Sequence, residues 1–217
     1  MIPTADLIDS LVENAPPIRR LRSPVVRAAC WLLFAVLVLA LVAVGHGVRS
    51  DLALKLHQPA FVISIASALA TGAMAAVAVF LASIPGRSRR WLLLPAPAML
   101  VWISTIGYGC LTGWISIGPD GLNLGETARC FATLAMVSIP LSLALLIMLR
   151  YVARLAPASI AMVASLSIAA MAATALSLLH PLDATLMVLI SNLGVAALFL
   201  LAGGLLGHRL FGWVATV

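Results

Sequence analysis

The sequence predicts an all-α, polytopic membrane protein with six transmembrane helices. Of its 217 residues, 63% are hydrophobic and only 9% are charged, whereas about a quarter of the residues in an ordinary soluble domain are charged. Six stretches without acidic or basic residues approach or exceed the roughly 20 residues that a helix needs to cross a bilayer. Because lipid offers backbone groups no hydrogen-bond partners, each of these stretches must be helical.

The positions of the six predicted spans separate a short N-terminal segment from a transmembrane domain. They cover residues 28–48, 59–84, 91–108, 130–149, 157–179 and 184–206. The first span follows a basic stretch, as a signal peptide would, but its apolar run is longer and five more spans follow. We therefore expect it to be retained. Residues 1–22 form a cytoplasmic N-terminal segment, and residues 23–217 form the transmembrane domain.

Basic residues are divided unequally between the two sides of the predicted bundle. Six spans place both termini on the same side. Ten basic residues fall on that side: Arg19, Arg20, Arg22, Arg27, Arg87, Arg89, Arg90, Arg150, Arg154 and Arg209. Three fall on the other side: Arg49, Lys55 and Arg129. Because basic loops stay in the cytoplasm, both termini are predicted to be cytoplasmic. The net charge of +6 thus reflects topology, and we expect membrane lipid but no nucleic acid as a partner.

The spans carry no residue that marks a transport pathway or a catalytic centre. No Asp, Glu, Lys or Arg lies inside them, although a charge at mid-membrane, which costs about 2.5–3.5 kcal/mol or more, usually indicates function. The polar residues in the spans include Ser104, Ser138 and Asn192. A hydrogen bond between helices explains each of them as well as a transport pathway would. The chain has no C-x-x-C, H-E-x-x-H, glycine-rich phosphate loop or G-x-S-x-G. We expect that the protein is not an enzyme and that it binds no cofactor. The alternative is a small-molecule transporter or a membrane enzyme.

Small residues recur every four positions in two spans, a pattern that lets helix backbones approach closely in lipid. In the second span they are Ser64, Ala68, Gly72 and Ala76. In the fifth they are Ala161, Ser165, Ala169, Ala173 and Ser177. An alanine-rich composition would produce the same pattern by chance. Pro140 lies inside the fourth span and is expected to kink it.

The N-terminal segment predicts a short amphipathic helix. Leu7, Ile8, Leu11 and Val12 form one apolar face, with Asp6, Asp9 and Glu13 beside or opposite it, and Pro16 and Pro17 end the helix. About ten residues are too few for a stable isolated helix, so the apolar face must dock. Its own membrane domain, the lipid surface and a basic soluble partner are all candidate docks. An acidic polar face is unfavourable beside an anionic leaflet.

Two cysteines bracket the loop between the third and fourth spans. Cys110 and Cys130 fall at the predicted periplasmic rim, where the compartment can be oxidising. With His180 and Asp183 of the other periplasmic hairpin they are weak candidates for a soft-metal site. Three interpretations stay open: small buried residues, a redox- or metal-responsive pair, and a structural disulfide. Cys30, at the cytoplasmic start of the first span, is expected to pack in the core.

Several stretches together resemble the NrsF-type anti-sigma factors. They are D-L-I-D-x-L-V, P-P-I-R-R-L and R-A-x-x-W-L near the N-terminus, P-G-R-S-R-R-W-L-L-L-P at 85–95, G-Y-G-C at 107–110, G-E-T-A-R-C-F at 125–131 and H-P-L-D-A-T-L-M-V-L at 180–189. The resemblance covers essentially the whole chain. It implies a six-helix bacterial inner-membrane protein that restrains an extracytoplasmic-function (ECF) sigma factor until a stress signal releases it.

The resemblance also gives the candidate sites a role. The residues expected to contact the sigma factor are Asp6, Leu7, Ile8, Asp9, Leu11, Val12, Arg19 and Arg20. The two arginines are expected mainly to set topology. Promoter-binding sigma domains are basic, so an acidic amphipathic segment is a reasonable competitor for their surfaces. The family's motifs carry cysteines at Cys110 and Cys130, which favours the responsive interpretation of this pair.

Overall fold

The computed structural model describes residues 22–84, 86–112, 124–149 and 157–179. Five long helices occur in these ranges: α1 (Pro24–His46), α2 (Pro59–Ala82), α3 (Ala96–Thr112), α4 (Leu124–Leu149) and α5 (Pro157–Leu179). A one-turn helix, Leu52–Lys55, lies between α1 and α2, and a 3₁₀ helix, Arg89–Leu93, precedes α3. No strand is found in the described ranges, which confirms the all-α prediction.

Five of the six predicted spans are found. The stretches long and apolar enough to cross a membrane are Pro24–His46, Pro59–Ala82, Arg89–Tyr108, Phe131–Leu149 and Ser159–Leu179. Their bounds agree with the predicted ones to within four residues. The sixth predicted span, 184–206, lies outside the described residues, so five spans are seen where six were predicted. Most of the N-terminal segment, 1–21, lies outside them too.

Helices α2 and α5 form the centre of the bundle. Helix α2 packs against α5, α3 and α1, while α4 packs against α5 and α1. The main core cluster draws on four helices, with Trp31 of α1, Phe80 of α2, Leu141 of α4 and Ala172 of α5 all nearly inaccessible. The start of α1 contacts the ends of α2 and α4, and the segment after α1 contacts the start of α2 and the end of α5. Helices α1 and α5 therefore run opposite to α2 and α4.

Helix α1 buries one narrow stripe and exposes the rest of its apolar surface. The buried residues recur at helical spacing: Ala28, Trp31, Ala35, Val38 and Val42. On the opposite face Leu33 is 71% and Val44 is 86% exposed. An apolar face of this kind suits lipid rather than water. Cys30 also faces outward, so the expectation of core packing was wrong. Consecutive side chains on a helix point about 100° apart. Because Trp31 points into the core, its neighbour Cys30 points outward.

The contact between α2 and α5 follows the predicted small-residue stripe on α2 and, in part, the one on α5. Ala68, Gly72 and Ala76 are buried there, as predicted. On α5 Ala173 of the predicted stripe is buried, Ser165, Ala169 and Ser177 are half-buried, and Ala161 is exposed. A second buried line runs through Ile160, Ala164, Ser167, Met171 and Thr174. Larger and polar side chains thus share this interface, and an inventory of small residues could not find its register.

Candidate functional site: the two ends of the helix bundle

Each end of the bundle contains an arginine that joins several helices. We define the Arg27 end by Arg27, in the first turn of α1, together with the ends of α2 and α4. We define the Arg49 end by Arg49, which follows α1, together with the start of α2 and the end of α5. Because α1 runs from one end to the other, a shift of this helix would be felt at both.

At the Arg27 end, the guanidinium of Arg27 connects three helices. It donates a hydrogen bond to the backbone carbonyl of Met148, in the last turn of α4. It also lies over the ring of Phe80 on α2, 5.1 Å from the ring centroid. Carbonyl groups at a helix C-terminus carry a partial negative charge and lack partners in their own helix, so a cation there is favourable. Nearby, the indole N–H of Trp31 donates to the carbonyl of Leu141, with 3.3 Å between N and O.

At the Arg49 end, Arg49 and Asp51 form a two-pronged ion pair. Nε lies 2.6 Å from Oδ1 of Asp51 and the second guanidinium nitrogen, Nη2, lies 2.7 Å from Oδ2. The Arg49 side chain is only 2% exposed, whereas that of Asp51 is 42% exposed. The hydrogen bond from Arg49 is the main cause that lowers the pKa of the Asp51 carboxyl below its ordinary value. This planar fork geometry is the strong form of an arginine–carboxylate contact.

Arg49 also reaches the end of α5. Its Nη1 donates to the carbonyl of Ser177 at 3.4 Å, and its backbone N–H donates to the carbonyl of Leu178 at 3.2 Å. The guanidinium lies over Phe61 of α2, 5.7 Å from the ring centroid. The connection between α1 and α2 is therefore fastened to the end of α5, directly before the predicted hairpin that carries His180 and Asp183.

The two arginine contacts were not predicted from the sequence, which assigned Arg27 and Arg49 only to topology. Their partners include backbone carbonyls 121 and 128 positions away, which leave no local pattern. The one local signal is R-S-D at 49–51, since an acid two residues from a basic residue in a short loop allows a pair. A buried arginine at a predicted loop position could not be recognised without the structure.

Charge is distributed unequally between the two ends. At the Arg27 end, Arg22, Arg87, Arg89 and Arg90 are exposed. At the other end, Lys55 is half-buried, and Arg49 is buried and paired with Asp51. In the part of the chain that the structure describes, the predicted excess of basic residues on one side is therefore seen. The assignment of that side to the cytoplasm stays a prediction.

The predicted site residues fall largely beyond the described part of the chain. Residues 6–20 lie outside it, and so do His180 and Asp183. The backbone at Cys110 belongs to the last turn of α3, and that at Cys130 to the second turn of α4. Their side chains are outside the description, so their pairing stays a prediction. Within the described residues, no group of three or more His, Cys, Asp or Glu side chains could hold a metal.

Several hydroxyl groups inside the bundle are committed to backbone carbonyls of their own helices. The O···O distances are 2.7–2.9 Å, and in each pair the first residue donates its hydroxyl hydrogen to the carbonyl of the second: Thr71 and Ser67, Ser83 and Phe80, Ser104 and Leu100, Thr174 and Ala170. Ser167 of α5 instead donates to Gly72 of α2, at 2.7 Å. At these positions the packing interpretation is favoured over a pathway. Asn192 lies outside the described residues.

A shallow cleft lies between α2 and α3, on the side of the bundle that leads to the Arg49 end. It has a volume of about 490 Å³ and is lined by Ala60, Ile63, Leu100, Val101, Ser104, Thr105 and Tyr108. The hydroxyl of Thr105 donates to Trp102 of its own helix at 2.7 Å, as that of Ser104 does to Leu100. The lining of the cleft is mostly apolar, and it shows no convergent catalytic groups.

These features define the class of the protein as a helical, multi-span membrane protein with asymmetric charge. The sequence model of the NrsF family, negative regulator of sigma F, matches residues 11–213. The chain therefore belongs to the NrsF family. No curated protein and no solved structure matches it. A family of negative regulators of a sigma factor implies a sigma factor as protein partner and a regulatory role rather than an enzymatic one.

Proposed function

We propose that this protein is a membrane anti-sigma factor. It holds an ECF sigma factor at the cytoplasmic face of the inner membrane and releases it on an envelope stress signal. The observation that carries the proposal is the family match over residues 11–213, on a chain with five membrane-type helices among its described residues. Both termini face the cytoplasm in this proposal, as the excess of basic residues favours.

The sigma factor binds the N-terminal segment, residues 1–22. This segment directly precedes α1, whose start is fixed by the side chain of Ser23, which accepts a hydrogen bond from the N–H of Val26 at 3.4 Å. Binding folds the short acidic helix, whose apolar residues Leu7, Ile8, Leu11 and Val12 then leave water. Coupled folding of this kind gives a weak and reversible complex, as a releasable regulator requires.

The signal acts at the predicted periplasmic rim, on a thiol or metal site that includes Cys110 and Cys130. The Arg49 end lies on this side in the proposed orientation. A change there reaches the cytoplasmic side through α1, since Arg49 fastens the end of this helix to α5 and Arg27 fastens its beginning to α4. Such coupling requires that the two states of the rim hold α1 differently.

The extent of the family match suggests how to divide the N-terminal segment. Leu11 and Val12 lie within the matched region, whereas Asp6, Leu7, Ile8 and Asp9 precede it. Deleting residues 2–10 removes the acidic half of the proposed helix and leaves the matched part. Deleting residues 2–22 removes all of it.

The test is co-purification of the full-length protein, in nanodiscs, with the sigma factor encoded nearest its gene. We expect wild type to retain the sigma factor, and the 2–22 deletion and the Leu7→Asp/Leu11→Asp variant to lose it. The matched control, Leu7→Ile/Leu11→Ile, keeps the apolar face and should bind. Retention of the sigma factor by the 2–22 deletion would overturn the segment's role. Failure of the wild type to bind any sigma factor of its own cell would overturn the proposal itself.

A further inference from the structure

The loop between α2 and α3 presents basic and apolar side chains on one short, ordered element. The 3₁₀ helix Arg89–Leu93 carries Arg89 and Arg90 in exposed positions. On the same element Trp91 is 40% and Leu93 is 68% exposed. This combination of cations and large apolar groups differs from an ordinary solvated loop, in which large apolar side chains are seldom adjacent and exposed.

Backbone and side-chain hydrogen bonds hold the loop in shape. The N–H of Arg87 donates to the carbonyl of Ile84 at 3.3 Å, and Gly86 between them has φ +84°. The hydroxyl of Ser88 then accepts from the N–H of Arg90 at 3.3 Å, which caps the 3₁₀ helix. The element also lies against α2 and α5. Its exposed side chains are thus presented from a fixed backbone.

Arg87 is placed by an aromatic contact. Its guanidinium lies over the indole of Trp91, 5.6 Å from the ring centroid. Stacking on an aromatic face leaves the edge of the guanidinium, where its N–H donors point, available to another acceptor. The one ion pair within the described residues joins Arg49 and Asp51, at the other end of the bundle. Asp51 is the one acidic side chain that the structure describes, and it does not neutralise Arg87, Arg89 or Arg90.

The position of the element between two membrane-type helices places it where lipid headgroups are expected. It follows the end of α2, an apolar helix of 24 residues, and belongs to the first turns of the apolar stretch Arg89–Tyr108. Tryptophan is enriched at this level of a membrane because its ring is partly apolar and partly polar. Exposed Trp91 and Leu93 can enter the acyl boundary, which leaves the arginines among the phosphates.

We propose that Arg87, Arg89 and Arg90, with Trp91 and Leu93 as apolar anchors, form a binding site for anionic phospholipid headgroups. A guanidinium matches a phosphate through two parallel N–H···O bonds, and an anionic leaflet attracts basic groups at its surface. The site distinguishes phosphatidylglycerol from zwitterionic phosphatidylcholine. It depends neither on a sigma factor nor on which side of the membrane the loop faces.

Native mass spectrometry of the full-length protein in non-ionic detergent tests this site. Phosphatidylglycerol or phosphatidylcholine with identical acyl chains is added, and the bound lipids are counted. We expect wild type to prefer phosphatidylglycerol. Since each arginine near an anionic surface contributes about fivefold in affinity, Arg87→Gln/Arg89→Gln/Arg90→Gln should lower this preference by about a hundredfold. A variant with lysine at all three positions keeps the charge and should keep most of it.

The controls separate the site from general effects of charge and folding. Arg22→Gln removes one exposed charge at the same end but outside the loop, and should lower the preference by no more than about fivefold. Inorganic phosphate at the lipid's concentration should not compete, because it lacks the acyl chains that Trp91 and Leu93 engage. If the triple glutamine variant loses helical circular dichroism, the double variant Arg89→Gln/Arg90→Gln is used in its place. The double variant keeps the Arg87–Trp91 contact. Equal binding of the two lipids by wild type would overturn the proposal.

A different occupant would give a different result. The acidic N-terminal segment could cover the same arginines, in which case Asp6→Asn/Asp9→Asn/Glu13→Gln would raise phosphatidylglycerol binding several-fold. That outcome would overturn lipid as the resident ligand and assign the surface to the chain's own segment. Unchanged binding in this variant, with loss in the arginine variant, supports the lipid site.

Discussion

Ser167 on α5 donates its hydroxyl hydrogen to the backbone carbonyl of Gly72 on α2, with 2.7 Å between the oxygens. The contact lies in the most extensive interface among the described helices. It is possible because Gly72 has no side chain. A β-carbon built there would lie 3.0 Å from Cε and 3.3 Å from Cγ of Met171, and 3.3 Å from the carbonyl oxygen of Ser167.

Gly72→Ala should destabilise the bundle by about 1–3 kcal/mol, because Met171 can move aside but the carbonyl oxygen of Ser167 cannot do so easily. Ser167→Ala should cost less, since hydrogen bonds between membrane helices average only about 0.6 kcal/mol. The measurement is the free energy of unfolding in mixed micelles. The matched control is Gly107→Ala on α3, where an added β-carbon meets nothing within 4 Å. Equal stability of both alanine variants would contradict the close packing at Gly72.

Substitutions at the Arg49–Asp51 pair should be strongly non-additive. Asp51→Asn leaves a guanidinium that is 2% exposed without its carboxylate, so the midpoint temperature of unfolding should fall by several degrees. Arg49→Met should lower it as well, because the contacts to Ser177 and Phe61 are lost. In the double variant Arg49→Met/Asp51→Asn no buried charge is left. The decrease in its midpoint temperature should therefore be smaller than the sum of the decreases in the two single variants. Additive losses would show that the two side chains act independently.

The same pair predicts how stability depends on pH. The Asp51 pKa is lowered in the folded protein from the ordinary value of 3.8, chiefly by the hydrogen bond from Arg49. A carboxyl whose folded pKa is depressed contributes its stabilisation above its unfolded pKa and loses it as pH falls through the folded pKa. The difference in unfolding temperature between wild type and Asp51→Asn should therefore be constant above about pH 5 and shrink below pH 3.8. A difference that persists unchanged at pH 2–3 would argue against this linkage.

The spans could be predicted from the sequence because one constraint decides them. Lipid requires every backbone group to be satisfied within its own segment, so an uncharged apolar stretch of sufficient length is a helix. Helices α1 and α2 begin at prolines, Pro24 and Pro59, which suit a first helical turn and were visible in the sequence. Charge asymmetry between the two ends is likewise a property of composition, and it is seen in the described part.

The side-chain contacts could not be predicted in the same way. Lipid is as apolar as the core, so an exposed Leu33 and a buried Val38 have the same chemistry and differ only in which helix is adjacent. For this reason Cys30 was wrongly placed in the core. The partners of Arg27 and Arg49 are main-chain carbonyls, which every residue possesses. Only the packing of α1 against α4 and α5 brings these particular carbonyls within reach.

The responsive interpretation of Cys110 and Cys130 predicts a specific pattern of thiol labelling. In full-length protein carrying Cys30→Ser, mild oxidation by diamide should join the two thiols. Two protons and two electrons pass to diamide, and both cysteines then resist a polyethylene-glycol maleimide. Reduction should restore two labels for each chain. In Cys110→Ser the remaining Cys130 should stay reactive under oxidation, and Cys130→Ser should leave Cys110 reactive.

The labelling pattern also separates the three interpretations of these cysteines. A metal-responsive pair resists labelling when Zn²⁺ is added and regains it with a chelator, without an oxidant. A structural disulfide stays unlabelled until a strong reductant is present, so sigma-factor retention would not follow mild changes in redox state. A pair that only packs in the core stays unlabelled in the folded protein under every condition, and is labelled twice, even after diamide, once the protein is denatured. That last result would remove the cysteines from the mechanism.

Release of a bound sigma factor on oxidation of wild type, and its absence in Cys130→Ser, would tie the rim to the cytoplasmic side through α1.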